Sequence, residues 1–224
     1  MTMAPKITLY YMPVSPASRS VVLVAKTLNI QLDLREIDIS RGEHMTPEFL
    51  KLNPQHTLPA LDDNGTVIID SHAINAYLCD KFAPNHSLYP KDLVKRAQIN
   101  SRLHFDTTLY ARIRYLYEPI YEGSSKMPAN NITLVTKCWD ILEAFLANGN
   151  FLCGNELTLA DFACICNFYA INSFAPVDRR NHAKLIRWIQ RMGEIPHFYK
   201  VVDLEESKAH QRYIRYLMET NSTF

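Results

Sequence analysis

The sequence predicts a chain of two folding units, α/β plus all-α in class: a βαβ-ββα unit at residues 1–82, a connecting segment at 83–91 and an all-helical region at 92–224. Three observations predict it. Two short apolar runs flank a segment of helical period within the first forty residues. Two further apolar runs flank Asp62-Asp63-Asn64-Gly65, with another helical segment behind them. Beyond a stretch interrupted by two prolines, no alternating pattern competes with the helical one.

Residues 6–11 read as a short buried strand. Pro16 at a first helical position, followed by Val21, Val22, Val24, Ala25 and Leu28, gives a helix with one apolar face. Leu32, Leu34, Ile37 and Ile39 support a second extended segment, so the two strands should be parallel and joined by a right-handed crossover. Residues 57–61 and 66–69 form the arms of a hairpin, since Asn-Gly favours the left-handed backbone that a tight turn requires. Residues 71–82 carry Ile74, Tyr77 and Leu78 at helical spacing behind Asp70 or Ser71 as N-cap. The segment Ala-Pro-Asn-His-Ser-Leu-Tyr-Pro-Lys at 83–91 has no period and reads as a linker. Residues 93–121 and 132–146 are amphipathic helices. In Leu157-Thr158-Leu159-Ala160-Asp161-Phe162 a cap threonine stands three residues before an aspartate, with Leu157 able to staple onto Phe162; Asp replaces the usual Glu or Gln of such a box.

Composition narrows the function. Hydrophobic residues make up 47% of the 224 and charged ones 21%, an ordinary globular balance. A net charge of +1 leaves no surplus to hold a phosphate backbone, so nucleic acid is not an expected partner. The opening residues lack the pattern of a signal peptide and no apolar run of about 18 residues occurs, which points to a soluble, cytoplasmic chain away from the membrane. The five cysteines, Cys79, Cys138, Cys153, Cys164 and Cys166, contain no Cys-x-x-Cys pair and read as reduced thiols; Cys164 and Cys166, in an apolar run, read as buried small hydrophobes, and no metal site is expected. Six scattered glycines match neither a dinucleotide fingerprint nor a P-loop.

Five stretches point one way: Ser15-Pro-Ala-Ser-Arg19, Gly42-Glu-His44, Asn53-Pro-Gln-His-Thr-Leu-Pro59, Asp70-Ser-His-Ala-Ile74 and Thr158-Leu-Ala-Asp161. Through them the chain resembles the cytosolic glutathione transferases over almost its whole length. It looks most like the arthropod epsilon class, with the delta class next, because Asp70-Ser71-His72 stands where delta members more often carry Glu-Ser-Arg. The resemblance implies a thioredoxin-like first domain, a homodimer, glutathione as co-substrate, and detoxifying conjugation of hydrophobic electrophiles. Relatives also act as dehydrochlorinases, peroxidases or isomerases on such a site, and a ligand carrier with little turnover is a reading of another class.

The chemistry asks for a stabilised thiolate, because a thiol with a pKa of about 8.5 is only a few per cent ionised at neutral pH. A hydroxyl at a helix N-terminus can supply that, and the resemblance makes Ser15 the catalytic residue; capping alone is the plain alternative. Tyr10 and Tyr11 are rival donors, and Ser18 a weaker one. No cysteine stands here, which speaks against a mixed-disulfide enzyme. The resemblance further implies a cis Leu58-Pro59 peptide with the Leu58 backbone pairing to the cysteinyl part of glutathione, His56 with His44 near its glycyl end, and Thr57 beside them. Asp70 and Ser71, with His72, would take the γ-glutamyl end, whose ammonium and carboxylate suit an aspartate and a helix N-terminus. For the electrophile, Pro16 and the four-residue repeat Ile113, Tyr117 and Tyr121 are the candidate pocket, with Arg114 and Glu118 close by; core packing and a plain ion pair explain the same spacings.

Overall fold

The structure, a computed structural model, describes residues 7–202 and 205–222, and the side chains of all of these except 205–207. The expectations placed on residues 1–6, a strand beginning at Lys6 and the absence of a leader pattern, lie outside the described residues.

The first strand, β1 (Ile7–Tyr11), runs into α1 (Pro16–Thr27) and then β2 (Asp33–Glu36). β1 and β2 pair in parallel, Thr8 opposite Asp33, as a βαβ unit requires. The second extended segment is shorter than the apolar spacing suggests. Asp38 accepts from the Ser40 amide and turns Ile39–Arg41 into a single 3-10 turn, so Ile39 leaves the strand. A short helix absent from the sequence reading, α2 (Pro47–Leu52), follows, capped by Thr46 with proline in its first turn.

The hairpin β3 (Ala60–Asp63) and β4 (Thr66–Ile69) begins three residues later than residues 57–61 suggest and turns on two residues only, Asn64 and Gly65. Both have positive φ, 53° and 89°, the backbone that matches strand twist and that Asn and Gly tolerate. β3 pairs antiparallel to β1, giving the sheet order β2-β1-β3-β4. Then α3 (Ser71–Phe82) packs back under Asp70 as N-cap.

The remaining described elements are helices: α4 (Leu93–Tyr121), α5 (Ala129–Phe145), α6 (Leu159–Ile171), α7 (Ala183–Gly193), α8 (Phe198–Val201) and α9 (Glu205–Asn221). α6 is the central one, buried along nearly its full length. Its start holds the reciprocal capping box: both Thr158 groups donate to one Asp161 oxygen at 2.9 Å, and the other oxygen accepts from the Leu152 amide and the Trp188 ring. Asp161 is fully buried and four donors surround it, the condition under which a carboxylate is tolerated in a core.

Two apolar clusters share α1. Val21 and Ala25 face the sheet with Leu9, Leu61, Ile74 and Leu78, while Leu23 and Val24 face the helical half with Phe162, Trp139 and Trp188. One helix thus buries both sides and carries the α/β layer on the bundle. Fixing α1 against α6 also fixes where the N-terminus of α1 stands relative to α4, and the cleft lies there.

Candidate active site

A cleft of about 260 Å³ opens between the two halves. Its walls come from the start of α1 (Pro16, Ala17, Ser20), the turn before β3 (Gln55, Thr57, Leu58, Pro59), the start of α3 (Asp70, Ser71, His72), α4 (Asp106, Thr107, Tyr110, Arg114) and α6 (Ala163, Asn167).

Ser15 is the N-cap of α1 and is 8% exposed. Its Oγ accepts from the Ser18 amide at 3.3 Å, so the oxygen caps the helix while the hydroxyl hydrogen stays free to point elsewhere. It adjoins the cleft through Pro16 and Ala17 rather than lining it. Ser18 is fully buried, and its Oγ accepts from the Met12 amide at 3.3 Å, tying the helix start to the strand exit. Tyr10 stacks edge-on against Phe49 with ring centres 6.1 Å apart, and Tyr11 packs on the sheet core; neither lines the cleft.

The turn before β3 is built by Asn53, which is wholly buried. Its amide donates to the Thr57 carbonyl at 2.8 Å and to the Thr57 hydroxyl at 3.2 Å, and its Oδ1 accepts from the Gln55 amide at 2.9 Å. The Leu58-Pro59 peptide is cis. His56, in the same turn, has a left-handed φ of 47° and is exposed. His44 lies beside it, ring centres 6.1 Å apart, with an enclosed Nδ1 that no described residue engages. Both histidines stand outside the cleft wall.

At the start of α3, Asp70 holds a φ of 72°, a conformation that costs a non-glycine residue roughly 1 to 3 kcal/mol and that short polar residues tolerate best. Its Oδ1 accepts from the His72 and Ala73 amides at 2.9 and 3.1 Å, which helps to offset that cost and leaves the second carboxylate oxygen available at the cleft. Ser71 is the first helical residue and is buried in the wall.

His72 joins the halves. Its Nε2 lies 3.0 Å from Asp106 on α4, and the other Asp106 oxygen accepts from the Asn167 amide of α6 at 2.9 Å. Burial works to lower the His72 pKa; the Asp106 hydrogen bond and charge, with Asp70 adding, outweigh it, and the net shift is upward. Asp106 and Asn167 are both buried, and Asn167 Oδ1 has no partner among the described residues.

The α4 wall differs from the candidate electrophile pocket. Ile113, 3% exposed, and Tyr117 belong to the helical core, and the Tyr117 hydroxyl donates to the Ala170 carbonyl at 2.6 Å. Tyr121 is 53% exposed, and its hydroxyl meets His210 at 2.8 Å. Arg114 does line the cleft and pairs with Glu118, which does not. The reason is rotational. One residue is about 100° around a helix, so 113-117-121 and 106-110-114 are neighbouring stripes, and packing α4 on α6 turns the second to the cleft. Gln55, Asp106, Tyr110 and Asn167 went unread. Gln55 sat inside a quoted motif, whereas nothing local marks the others.

Among the described residues no group of three or more His, Cys, Asp or Glu could hold a metal ion, and no helix is long and apolar enough to cross a membrane. All five cysteines are free thiols, four of them buried.

Comparison with known proteins gives the same picture. Residues 9–86 match the model of the glutathione S-transferase N-terminal domain and residues 101–196 that of its C-terminal domain. Glutathione S-transferase 1 of Manduca sexta is 37% identical over 198 residues, covering 86% of this chain and 90% of its own. An epsilon-class glutathione S-transferase structure from the housefly Musca domestica superposes with a TM-score of 0.89 at 31% identity, covering 96% of this chain and 98% of that one. A glutathione transferase homologue from Drosophila mojavensis, solved with bound glutathione, gives 0.86 at 33% identity over 97% of this chain and 98% of that one. Delta-class structures match to a comparable extent. With both domains matched in order and a cleft between them lined by the cis-proline turn and the capped α3, the chain belongs to the glutathione S-transferase family.

Proposed function

We propose that this glutathione transferase adds the thiolate of glutathione to hydrophobic electrophiles, with the Ser15 hydroxyl donating to the sulfur. The observation that carries this reading is the hydrogen bonding of Ser15. Its oxygen is already used as an acceptor by the Ser18 amide, so the O–H is the group left to act, at a helix N-terminus whose dipole also favours an anion. Each effect favours the charged sulfur over the neutral thiol and lowers its pKa.

Glutathione is then placed by short-range devices. The backbone of Leu58 pairs with the cysteinyl part beside the cis peptide. Asp70 and Ser71 take the γ-glutamyl ammonium and carboxylate, with His72 behind them, while Thr57, His56 and His44 stand toward the glycyl end. No feature of the site favours the dehydrochlorinase, peroxidase or isomerase reading over conjugation, and a set of donors this complete has no purpose in a carrier.

Residues 1–82 form the glutathione-binding unit, 83–91 the linker and 92–224 the unit that completes the cleft. We assign the epsilon class on Asp70-Ser71-His72. A cytoplasmic homodimer fits the family, and a second groove of about 370 Å³ beside the cleft, sharing Asp70 and His72 and continuing over Tyr89, Asn100 and His104, offers a concave face for the second copy. Light scattering should give twice the chain mass.

The decisive experiment is conjugation to a generic aryl halide by the wild type, Ser15→Ala and Tyr11→Phe, with glutathione binding checked in each. Turnover lost in Ser15→Ala alone supports the serine role, and an unaffected Ser15→Ala overturns it. A wild type that binds glutathione and turns nothing over returns the carrier.

A further inference from the structure

The dipeptide Asn-Gly occurs twice in the chain, at 64–65 and at 148–149, and both asparagines are exposed. Glycine has no side chain to keep its amide nitrogen away from the preceding asparagine, so such a pair is labile wherever the two groups are free to meet. The two copies differ in that freedom.

Asn64 is held. Its side-chain amide donates to Asp63 Oδ1 at 2.7 Å, and the Gly65 N–H donates to Asp62 Oδ1, also at 2.7 Å. Both bonds end on carboxylates, the stronger kind of hydrogen bond, and the second keeps the proton on the nitrogen that has to lose it. Asp63 is itself anchored, since its side chain is buried and its other oxygen accepts from Tyr77 and Lys81 of α3. Burial works to raise the Asp63 pKa, but the bonds from Lys81, Tyr77 and Asn64 outweigh it, so the group stays ionised at neutral pH.

Asn148 has no such restraint. It ends a single 3-10 turn, Leu146–Asn148, between α5 and the bridge that pairs Phe151 with Gly154. Its side chain makes no hydrogen bond to any described residue, and no described side chain accepts from the Gly149 N–H. The chain is fixed on either side of it, by Lys184 on the Ala147 carbonyl at 2.9 Å and by Arg191 on the Asn150 carbonyl at 2.7 Å.

We propose that Asn148 is a site of spontaneous deamidation in the folded protein, and that Asp62 and Asp63 keep Asn64 from the same reaction. The Gly149 nitrogen gives up its proton and forms a bond to Asn148 Cγ. The bond from Cγ to the side-chain nitrogen breaks, and that nitrogen takes up the proton and leaves as ammonia. Water then opens the cyclic imide at one of its two carbonyl carbons, giving aspartate or, with the chain rerouted through the side chain, isoaspartate. Asparagine and water become an acid and ammonia, with nothing oxidised and nothing reduced. Aspartate leaves the backbone as it was. Isoaspartate lengthens it by one carbon where there is no slack, since a Cβ built on Gly149 would lie 2.2 Å from the Gly154 carbonyl oxygen. The strain falls on the turn that presents the Leu152 amide to Asp161 at the start of α6.

The test incubates the whole protein in mildly alkaline buffer, folded and in urea, digests it in acid, where the reaction halts, and follows the amide-to-acid mass gain at each asparagine. In the fold Asn148 should convert roughly tenfold faster than Asn64 or more, the worth of a hydrogen bond to a charged group, whereas in urea the two should convert alike. Asp62→Ala should raise the Asn64 rate roughly tenfold and leave the Asn148 rate unchanged, and Asp62→Asn, which keeps an acceptor oxygen, should raise it less. Equal rates in the fold, no conversion at Asn148, a difference that persists in urea, or an Asn64 rate untouched by Asp62→Ala overturns the inference. So does a rise at both sites in Asp62→Ala, since that reports general opening and not the loss of a local bond.

Discussion

The two walls of the cleft are made by different physics. The wall proposed to hold glutathione is an assembly of chain-local devices. Ser15 caps α1, Asn53 closes the turn that delivers the cis Leu58-Pro59 peptide, and Asp70 caps α3 from a left-handed backbone. Each residue acts on partners within about four positions of itself. The opposite wall, proposed for the electrophile, is one face of a 29-residue helix, and its chemistry depends on which stripe of that helix the bundle turns inward. Local devices tolerate a change of neighbours; a helix face does not. The first wall is therefore suited to holding one constant substrate and the second to varying with the electrophile.

The comparison is open to attack at several points. If Ile113 is core and not pocket, Ile113→Ala should cost about 3 kcal/mol in urea unfolding, through lost burial and a cavity between α4 and α6. A stability within about 0.5 kcal/mol of wild type, with altered electrophile selectivity, would return that stripe to the pocket. Next in size, Ser15→Ala should lose roughly 100-fold in turnover, equivalent to about 2.7 kcal/mol, with glutathione binding retained and the thiolate absorbance of bound glutathione appearing only at higher pH. Asp70→Ala should cost about 1 kcal/mol of stability from the lost cap and should raise the KM for glutathione. An unchanged KM would detach Asp70 from the γ-glutamyl end.

The smallest effect concerns the hydrogen bond between His72 and Asp106, which joins the walls. The folded pKa of His72 is raised above its unfolded value, so its pairing with Asp106 stabilises fully below the ordinary histidine pKa of about 6.5 and fades as pH climbs through the folded value. The stability gap between wild type and His72→Gln should therefore be widest at about pH 5.5 and narrow toward pH 8.5, with less than about 1 kcal/mol of change. A gap that widens with pH would contradict the sign and detach His72 from Asp106 in solution.

Much of the glutathione wall was legible in the sequence because its signals are short. Ser-Pro marks a helix start, Asn-Gly a tight turn, and Asp70 before an apolar run a second cap; the α1 and α3 starts and the β3–β4 turn follow those marks. Ile39 was misread because alternation of apolar residues continues past Asp38, whose side chain stops the strand by accepting the Ser40 amide. α2 was missed because six residues with one buried side chain, Phe49, carry no readable period. Along α4 the sequence reading singled out one stripe, and nothing local marked the neighbouring one that lines the cleft. Ile113, Tyr117 and Tyr121 are pocket candidates on their four-residue repeat and on the resemblance, yet a stripe at helical spacing is also what a core requires.

What the sequence determined by itself is what local energetics decide. It set the four strands with α1 and α3 between and behind them, the caps Ser15, Asp70 and Thr158, the hairpin turn and the residue types proposed to meet a tripeptide thiol, since each depends on hydrogen bonds and backbone preferences within a few positions. Tertiary structure alone decided the rest: that α1 is buried on both sides, that His72, Asp106 and Asn167 from three helices meet in one network, and that Tyr110 and Arg114 face the cleft while Ile113 and Tyr117 do not. A helix presents all its faces to the sequence equally. Which face is buried is settled by shape and apolar area against α6, and that contact is not written in α4.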